Sequence, residues 1–146
     1  MTSNLATGII RAHPKDSTTW WMILDCGLGW SLLYEHWMQK QAGGRWVRDR
    51  HGKLQYQNAR LQRPLWGNHI SMIRGEEPRQ NEAAWDHLDG RVVEFRFNPD
   101  LGFNQSGDRV YWWLDVECSE IGDLRESFGL DRDPEFPLHL TLGTIS

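Results

Sequence analysis

The sequence predicts an α+β fold: mostly antiparallel sheet in two pseudo-symmetric lobes, with helices outside and a central cleft between the lobes. Two observations predict this fold. Strand-like and helical patterns follow one another along the chain, and each half has a histidine-containing strand after a helix. The 146 residues contain no low-complexity segment and no obvious linker, so residues 1–146 are expected to form a single domain.

The elements of the first half follow from residue spacing. The aromatic and aliphatic run at 18–26 predicts a strand. Trp30, Leu33 and Trp37 recur at helical spacing before a Gly-Gly pair. This spacing predicts a helix over 30–42, with both tryptophans in the core. Three weaker patterns complete this half: a hairpin over 45–57 that turns near His51-Gly52, an alternating strand within 68–75, and a short helix over 81–90.

The second half has clearer patterns. Val93, Phe95 and Phe97 alternate with polar residues and predict a strand within 91–98. The next stretch, 98–108, is predicted to be a turn-rich loop. The remaining elements are a strand over 109–118, a helix over 119–130 with Ser119 as N-cap and Gly129 as its stop, and a final strand within 136–146.

Charge and composition restrict the partners that the chain can have. The net charge is −4 and the densest basic stretch is 45–53, so we expect no duplex nucleic-acid partner, whereas a small anion needs only a few donors. Nine tryptophans can fill a core or stack on flat ligands.

Cys26 and Cys118 lack metal-ligand spacing and are expected to be buried free thiols. With no 18-residue apolar stretch and no signal-peptide pattern, we expect a cytoplasmic protein without a membrane partner.

A duplicated motif is the strongest functional signal. His69-Ile70-Ser71-Met72 and His139-Leu140-Thr141-Leu142 share the order His, apolar, hydroxyl, apolar, and they lie about half a chain apart. Because alternate residues of a strand share a face, each motif places its histidine and hydroxyl opposite its apolar residues. Gly143 continues the polar face of the second strand, where the missing side chain would let a ligand approach the backbone.

Two histidines and two hydroxyls suit displacement at phosphorus. One imidazole can take a proton from the attacking oxygen while the other donates a proton to the leaving oxygen. The hydroxyls of Ser71 and Thr141 can donate hydrogen bonds to the non-bridging oxygens. This chemistry requires no metal or other cofactor, and the sequence shows no cluster of three converging zinc ligands. Two such pairs also arise by chance in many chains of this size.

With these motifs the sequence resembles the two-histidine phosphoesterase superfamily, whose mark is two His-x-Ser/Thr-x motifs in pseudo-symmetric lobes. Its members include LigT-like RNA phosphoesterases, plant-type cyclic phosphodiesterases, 2′-5′ oligoadenylate-cleaving enzymes and phage nucleases that destroy cyclic-oligonucleotide immune signals. The resemblance implies that His69 and His139 are the catalytic pair and that Ser71 and Thr141 bind phosphate, without a metal. It implies a hydrolase of a small cyclic nucleotide or short oligonucleotide, in the host cytosol if a phage encodes it.

Alternation also predicts weaker candidates for base or phosphate contacts. Tyr111 and Trp113 share the face of their strand opposite the apolar residues, so either could stack on a base, or Trp113 could pack on a neighbouring strand. Arg74 falls on the Ile70 face and is therefore placed away from the site, unless the strand ends before it. The remaining candidates are Arg96 for phosphate and Trp66, which lies just before His69.

Other functions remain open on the sequence alone. An enzyme that processes RNA ends with a 2′,3′-cyclic phosphate would use the same two motifs. A non-catalytic nucleotide binder would keep an aromatic cleft without cleaving its ligand. A tryptophan-rich carbohydrate-binding module would account for the nine tryptophans, but it leaves the duplicated motif as a coincidence.

Overall fold

The computed structural model describes residues 4–13, 19–64, 67–107 and 109–145. In chain order its elements are β1 Asn4–Ala12, β2 Trp21–Asp25, α1 Gly29–Ala42, β3 Gly44–Arg48, β4 Leu54–Asn58, β5 His69–Arg74, β6 Val92–Phe97, β7 Gly102–Ser106, β8 Arg109–Glu117, α2 Ser119–Ser127 and β9 His139–Ile145. Two 3-10 turns, Glu82–Ala84 and Asp86–Leu88, lie between β5 and β6.

Within the described residues, seven strands form one sheet in the order β6-β1-β2-β5-β9-β8-β7, and each pairing is antiparallel. β6 also pairs with β8 at Arg96 and Phe97, which closes six of these strands into a ring. β3 and β4 form a separate hairpin. The predicted α+β class with mostly antiparallel sheet is therefore confirmed, and the two motif strands, β5 and β9, are neighbours in the sheet.

The alternating strands place their apolar residues in the core as predicted. Val93 and Phe95 of β6 are buried, and so are Trp112, Leu114 and Val116 of β8. Helix α2 buries Ile121, and Phe128 is buried directly after the helix ends. Gly129 then takes a φ of 76°, a conformation that glycine adopts without strain and that stops the helix as predicted.

The predicted inner face of α1 is wrong. Leu33 and Trp37 are 71% and 56% exposed, whereas Ser31 and Met38 are buried. Trp30 alone of the predicted stripe packs inward, with its ring 4.9 Å from that of Phe97 in an edge-on contact. Apolar residues lie all around this helix, so helical spacing alone selects no single face.

Several predicted boundaries also differ. The stretch 98–108 contains a strand, β7, and β1 was not predicted from the sequence. The expected helix over 81–90 is two 3-10 turns, and helix α2 is preceded by Cys118 in the N-cap position, without a side-chain cap. The predicted strand at 18–26 begins at Trp21, with 14–18 outside the described residues.

The thiols of Cys26 and Cys118 are free, as expected, but they are half-buried rather than buried.

Gly8 of β1 permits the close approach of β2. A Cβ at this position would meet Leu24 Cγ at 2.6 Å and the Asp25 carbonyl oxygen at 3.0 Å. Gly8→Ala should therefore lower the free energy of unfolding by about 1–3 kcal/mol, as overpacking of a filled interior does. Urea denaturation measures this loss. Gly29→Ala is the matched control, since a Cβ at Gly29 meets nothing within 4 Å; equal stability of the two variants would contradict the steric argument.

Candidate functional site

The pairing of β5 with β9 brings the two sequence motifs together. Ile70 lies opposite Leu140, and both side chains are fully buried. Antiparallel pairing extends this register to His69 beside Thr141 and to Ser71 beside His139. Residues that face each other in this way have Cβ atoms about 4.5–5.5 Å apart. Each histidine therefore has as its cross-strand neighbour the hydroxyl residue of the other motif.

The face that carries these four side chains forms the floor of a pocket of about 390 Å³. One wall comes from the end of β5 and the residues after it, and the other from the segment that leads into β9. The lining residues are His69, Ser71, Met72, Arg74, Glu76, Pro134, Glu135, Phe136, Pro137, His139 and Thr141. Phe136 is 73% exposed, so its ring stands at the pocket rim with most of its surface in solvent.

Each histidine ring is oriented by the chain immediately before it. Nδ1 of His69 lies 3.0 Å from the carbonyl oxygen of Gly67, and Nδ1 of His139 lies 2.9 Å from that of Pro137. Because a carbonyl oxygen only accepts, Nδ1 is the donor in both bonds. No hydrogen bond from another described residue occupies Nε2 of either ring, so this nitrogen can accept a proton in the neutral imidazole or donate one in the cation.

The two histidines also have matching neighbours on the flanking strands. The ring centroid of Trp21 lies 6.0 Å from that of His69, and Trp113 lies 6.4 Å from His139; both contacts are edge-on. Asp25 of β2 is the backbone partner of His69, as Asp115 of β8 is of His139. The Trp113 indole nitrogen donates to Asp115 Oδ1 at 3.1 Å. Trp113 thus contacts His139 and Asp115.

Burial makes His69 a weaker base than an ordinary histidine but keeps it neutral near pH 7. Desolvation is the main cause of its lowered pKa, and the charges of Arg74 and His139 lower it further. The hydrogen bond to Gly67 and the charge of Asp25 oppose this shift without cancelling it. His69 is 9% exposed, whereas His139 is only half-buried.

Arg74 lines the pocket, contrary to its predicted position on the core face. The register between β2 and β5 shifts at this point: Ile23 pairs with Ser71 but Met22 pairs with Ile73, which leaves Met72 as an extra residue. This β-bulge places both Met72 and Ile73 in the core and brings Arg74 to the histidine side. Its guanidinium lies 5.8 Å from the Trp21 ring centroid. Strict alternation could not reveal a bulge, so the prediction missed this cation.

Asn68 is a second residue that the sequence did not reveal. Its side chain is 1% exposed, and Nδ2 donates to Ser31 Oγ at 2.6 Å and to the Thr141 carbonyl oxygen at 3.1 Å. Its Oδ1 accepts from the Ser31 backbone nitrogen at 3.0 Å, near the start of α1. Asn68, the residue directly before His69, therefore connects the start of β5 to α1 and to β9. Its partners are distant in the chain, so no local pattern signals this role.

A buried arginine connects helix α2 to the chain segments that form the two walls of the histidine pocket. Arg125 of α2 is 1% exposed, and its two terminal nitrogens donate to Glu76 at 2.8 and 2.7 Å. It also donates to the carbonyl oxygens of Met72 and Asp131 at 2.9 and 2.8 Å. These bonds connect α2 with the end of β5 and with the start of the segment that forms the other wall. The pKa of Glu76 is lowered chiefly by its hydrogen bonds from Arg125.

The weaker candidates lie elsewhere. Arg96 pairs with Leu5 and Glu117, away from β5 and β9. The remaining three are Tyr111, half-buried between Asn104 and Thr144; Gly143, where a Cβ would lie 3.1 Å from the Gln62 carbonyl oxygen and 3.6 Å from Met38 Sδ; and Trp66, outside the described residues. Neither Arg96, Tyr111 nor Gly143 is among the residues that line the histidine pocket. Gly143 thus lies against the backbone of Gln62, away from the histidine pocket.

Comparisons with protein-family models, with curated proteins and with solved structures returned no match. In the described ranges, no group of three or more His, Cys, Asp or Glu side chains is placed to hold a metal ion. No helix among those residues is both long and apolar enough to cross a membrane. The geometry and chemistry of the histidine pocket are therefore the basis for assigning a function.

Proposed function

We propose that this protein is a phosphodiesterase that cleaves a small cyclic nucleotide or short oligonucleotide by two-histidine acid–base catalysis. The observation that carries this proposal is the pairing of β5 with β9, which sets each histidine beside the hydroxyl residue of the other motif in one pocket. A chance pair of His-x-hydroxyl motifs would have no reason to share a pocket. A carbohydrate module would have no use for two imidazoles with the same orientation.

The proposed reaction divides the proton transfers between the two rings. His69, neutral near pH 7, accepts the proton of the attacking water or ribose hydroxyl as its oxygen bonds to phosphorus. His139 takes the complementary role and gives a proton to the leaving oxygen as the bond between that oxygen and phosphorus breaks. Ser71 and Thr141 donate to the non-bridging oxygens, and Arg74 at the rim balances their negative charge. No step requires a metal ion.

The proposed function also implies that the fold consists of two pseudo-symmetric lobes. β2, α1 and β5 would be the core of one lobe, and β8, α2 and β9 the core of a pseudo-symmetric second lobe, with the pocket in the cleft between them. In both units the connection between the histidine strand and its antiparallel neighbour contains a helix, and in the first unit it also contains the β3–β4 hairpin. Both units also have a tryptophan and an aspartate beside the histidine. This equivalence supports membership of the two-histidine phosphoesterase superfamily.

A substrate panel with product identification tests the function. Purified protein is incubated with cyclic dinucleotides, 2′,3′-cyclic nucleotides and 2′-5′ oligoadenylates, and the products are identified by mass spectrometry. We expect cleavage of at least one cyclic or short substrate, unchanged by a chelator. Loss of activity with the chelator would refute the metal-free mechanism. Exclusive action on RNA ends would favour an RNA-processing role, and binding without cleavage of any substrate would refute the enzyme.

The pH profile of the reaction tests the role of His69. If His69 is the base, kcat/KM should fall only when the pH drops below the ordinary imidazole pKa of about 6.5, because burial and the charge of Arg74 lower the pKa of this ring. Arg74→Gln removes one of these causes, so the acidic limb should move to higher pH while burial still holds it below the ordinary value. An acidic limb at or above the ordinary value, unmoved by Arg74→Gln, would contradict the assignment.

A further inference from the structure

The β3–β4 hairpin lies outside the proposed site, and the sequence had already marked it as the most basic stretch. Among the described residues, its strands pair only with each other, and each of their residues is exposed except the half-buried Val47. No residue of either strand belongs to the hydrophobic core of the described chain. Core packing therefore gives no reason for aromatic side chains here.

One face of the hairpin nevertheless presents an aromatic pair. Trp46 lies directly opposite Tyr56, with ring centroids 5.4 Å apart, and these residues are 67% and 51% exposed. Arg48 and Leu54, the next pair on this face, continue the same surface. The Arg48 guanidinium donates to the Gly52 carbonyl oxygen at 2.9 Å, which holds the side chain along the hairpin. The result is an exposed aromatic surface beside a fixed positive charge.

The hairpin and the chain that follows it are positively charged, unlike the rest of the protein. Residues 44–63 contain six Lys or Arg residues and one Asp, a net charge of +5. Since the whole chain has a net charge of −4, the remainder carries −9. Within the described residues of this segment, the hairpin arginines Arg45, Arg48 and Arg50 are all exposed. The partner that complements this surface is anionic and has flat apolar groups.

We propose that the β3–β4 hairpin binds single-stranded nucleic acid, with bases stacked on Trp46 and Tyr56 and phosphates held by the neighbouring arginines. Stacking on exposed aromatic residues between cationic side chains is how single strands are bound without sequence preference. A duplex hides the faces of its bases and would leave the aromatic pair unused. The tip of the hairpin, 49–52, is polar throughout and gives no apolar wedge for a lipid surface.

The test is fluorescence anisotropy of the full chain with a labelled oligodeoxythymidine of about ten nucleotides, a length within the usual range for one binding surface. Trp46→Ala with Tyr56→Ala should weaken binding at least about tenfold, whereas Trp46→Phe with Tyr56→Phe should retain most of it. Arg48→Gln should reduce the slope of log affinity against log salt by about 0.7, the change expected for one lost phosphate contact. Thermal melting verifies that each variant is folded.

Controls separate this surface from the pocket and from general charge. Phe103→Ala and Arg79→Gln remove an exposed aromatic and an exposed cation outside the hairpin, and both should bind as the unchanged chain does. His139→Ala should also bind normally, which makes the result independent of the proposed catalysis. The proposal is overturned if the intact chain does not bind the oligonucleotide, if His139→Ala abolishes binding, or if duplex DNA or anionic vesicles bind as tightly.

Discussion

If the proposed mechanism holds, His69→Ala and His139→Ala should each reduce kcat about 10²–10⁴-fold on whichever substrate the panel identifies, because each removes one of the two proposed proton transfers. The loss should appear mainly in kcat, since Ser71, Thr141 and Arg74 still hold the phosphate. The double variant should be little worse than either single variant, because two groups that act in one transition state are not additive. Steady-state kinetics of the three variants measures this.

The matched control is His36→Ala. His36 is exposed on α1 and lies outside the residues that line the pocket, so this variant should keep full activity. Full activity of either His69→Ala or His139→Ala would refute the assigned chemistry. A large rise in KM with unchanged kcat would instead show that the ring binds substrate without transferring a proton.

Arg125→Met should lower the free energy of unfolding by about 2–4 kcal/mol, because two backbone carbonyl oxygens lose their donor and such a loss costs about 1–3 kcal/mol for a buried acceptor. Arg125 is 1% exposed and makes hydrogen bonds to Glu76 and to two backbone carbonyls. Methionine fills part of the volume but satisfies none of these acceptors. Activity should fall as well, since the same bonds fix both walls of the pocket. Urea denaturation gives the stability change.

The control for Arg125 is an exposed ion pair. Arg91→Gln breaks the contact with Glu120, where both side chains are at least one-third accessible, and should cost about 1 kcal/mol or less. Glu76→Gln should fall between the two, because the Glu76 side chain is 37% exposed and water can replace part of its contact. If Arg125→Met were no less stable than Arg91→Gln, the hydrogen bonds of the buried Arg125 would not be a major support of the fold.

The sequence predicted the elements whose side chains alternate cleanly between core and solvent. Strands β6 and β8 are of this kind. The two motif strands alternate only over part of their length, and the register between them brought the predicted histidines into one pocket. β7 lies at the edge of the sheet, and its residues are exposed or half-buried, so its sequence contains no apolar alternation to detect. A short edge strand depends on pairing with its neighbour more than on its own residues.

The residues that sequence analysis missed depend on structure that is not periodic. Arg74 reaches the pocket only because Met72 is an extra residue in β5. Asn68 and Arg125 act through hydrogen bonds to atoms far away in the chain. Trp37 was placed in the core by helical spacing, but the sheet covers a neighbouring face of α1. Patterns within a segment report burial, whereas these roles are set by contacts between segments.

The position of β5 and β9 in the sheet determines when the pocket can exist during folding. β2 and β5 pair within the first half of the chain, and β8 and β9 pair within the second, so each histidine strand can form with a partner from its own half. The Ile70–Leu140 pairing must instead close a loop of about half the chain, and such contacts carry a high entropic cost and slow folding. Recovery of catalysis after refolding would therefore report the joining of the two halves, a later event than the recovery of helix or strand signal.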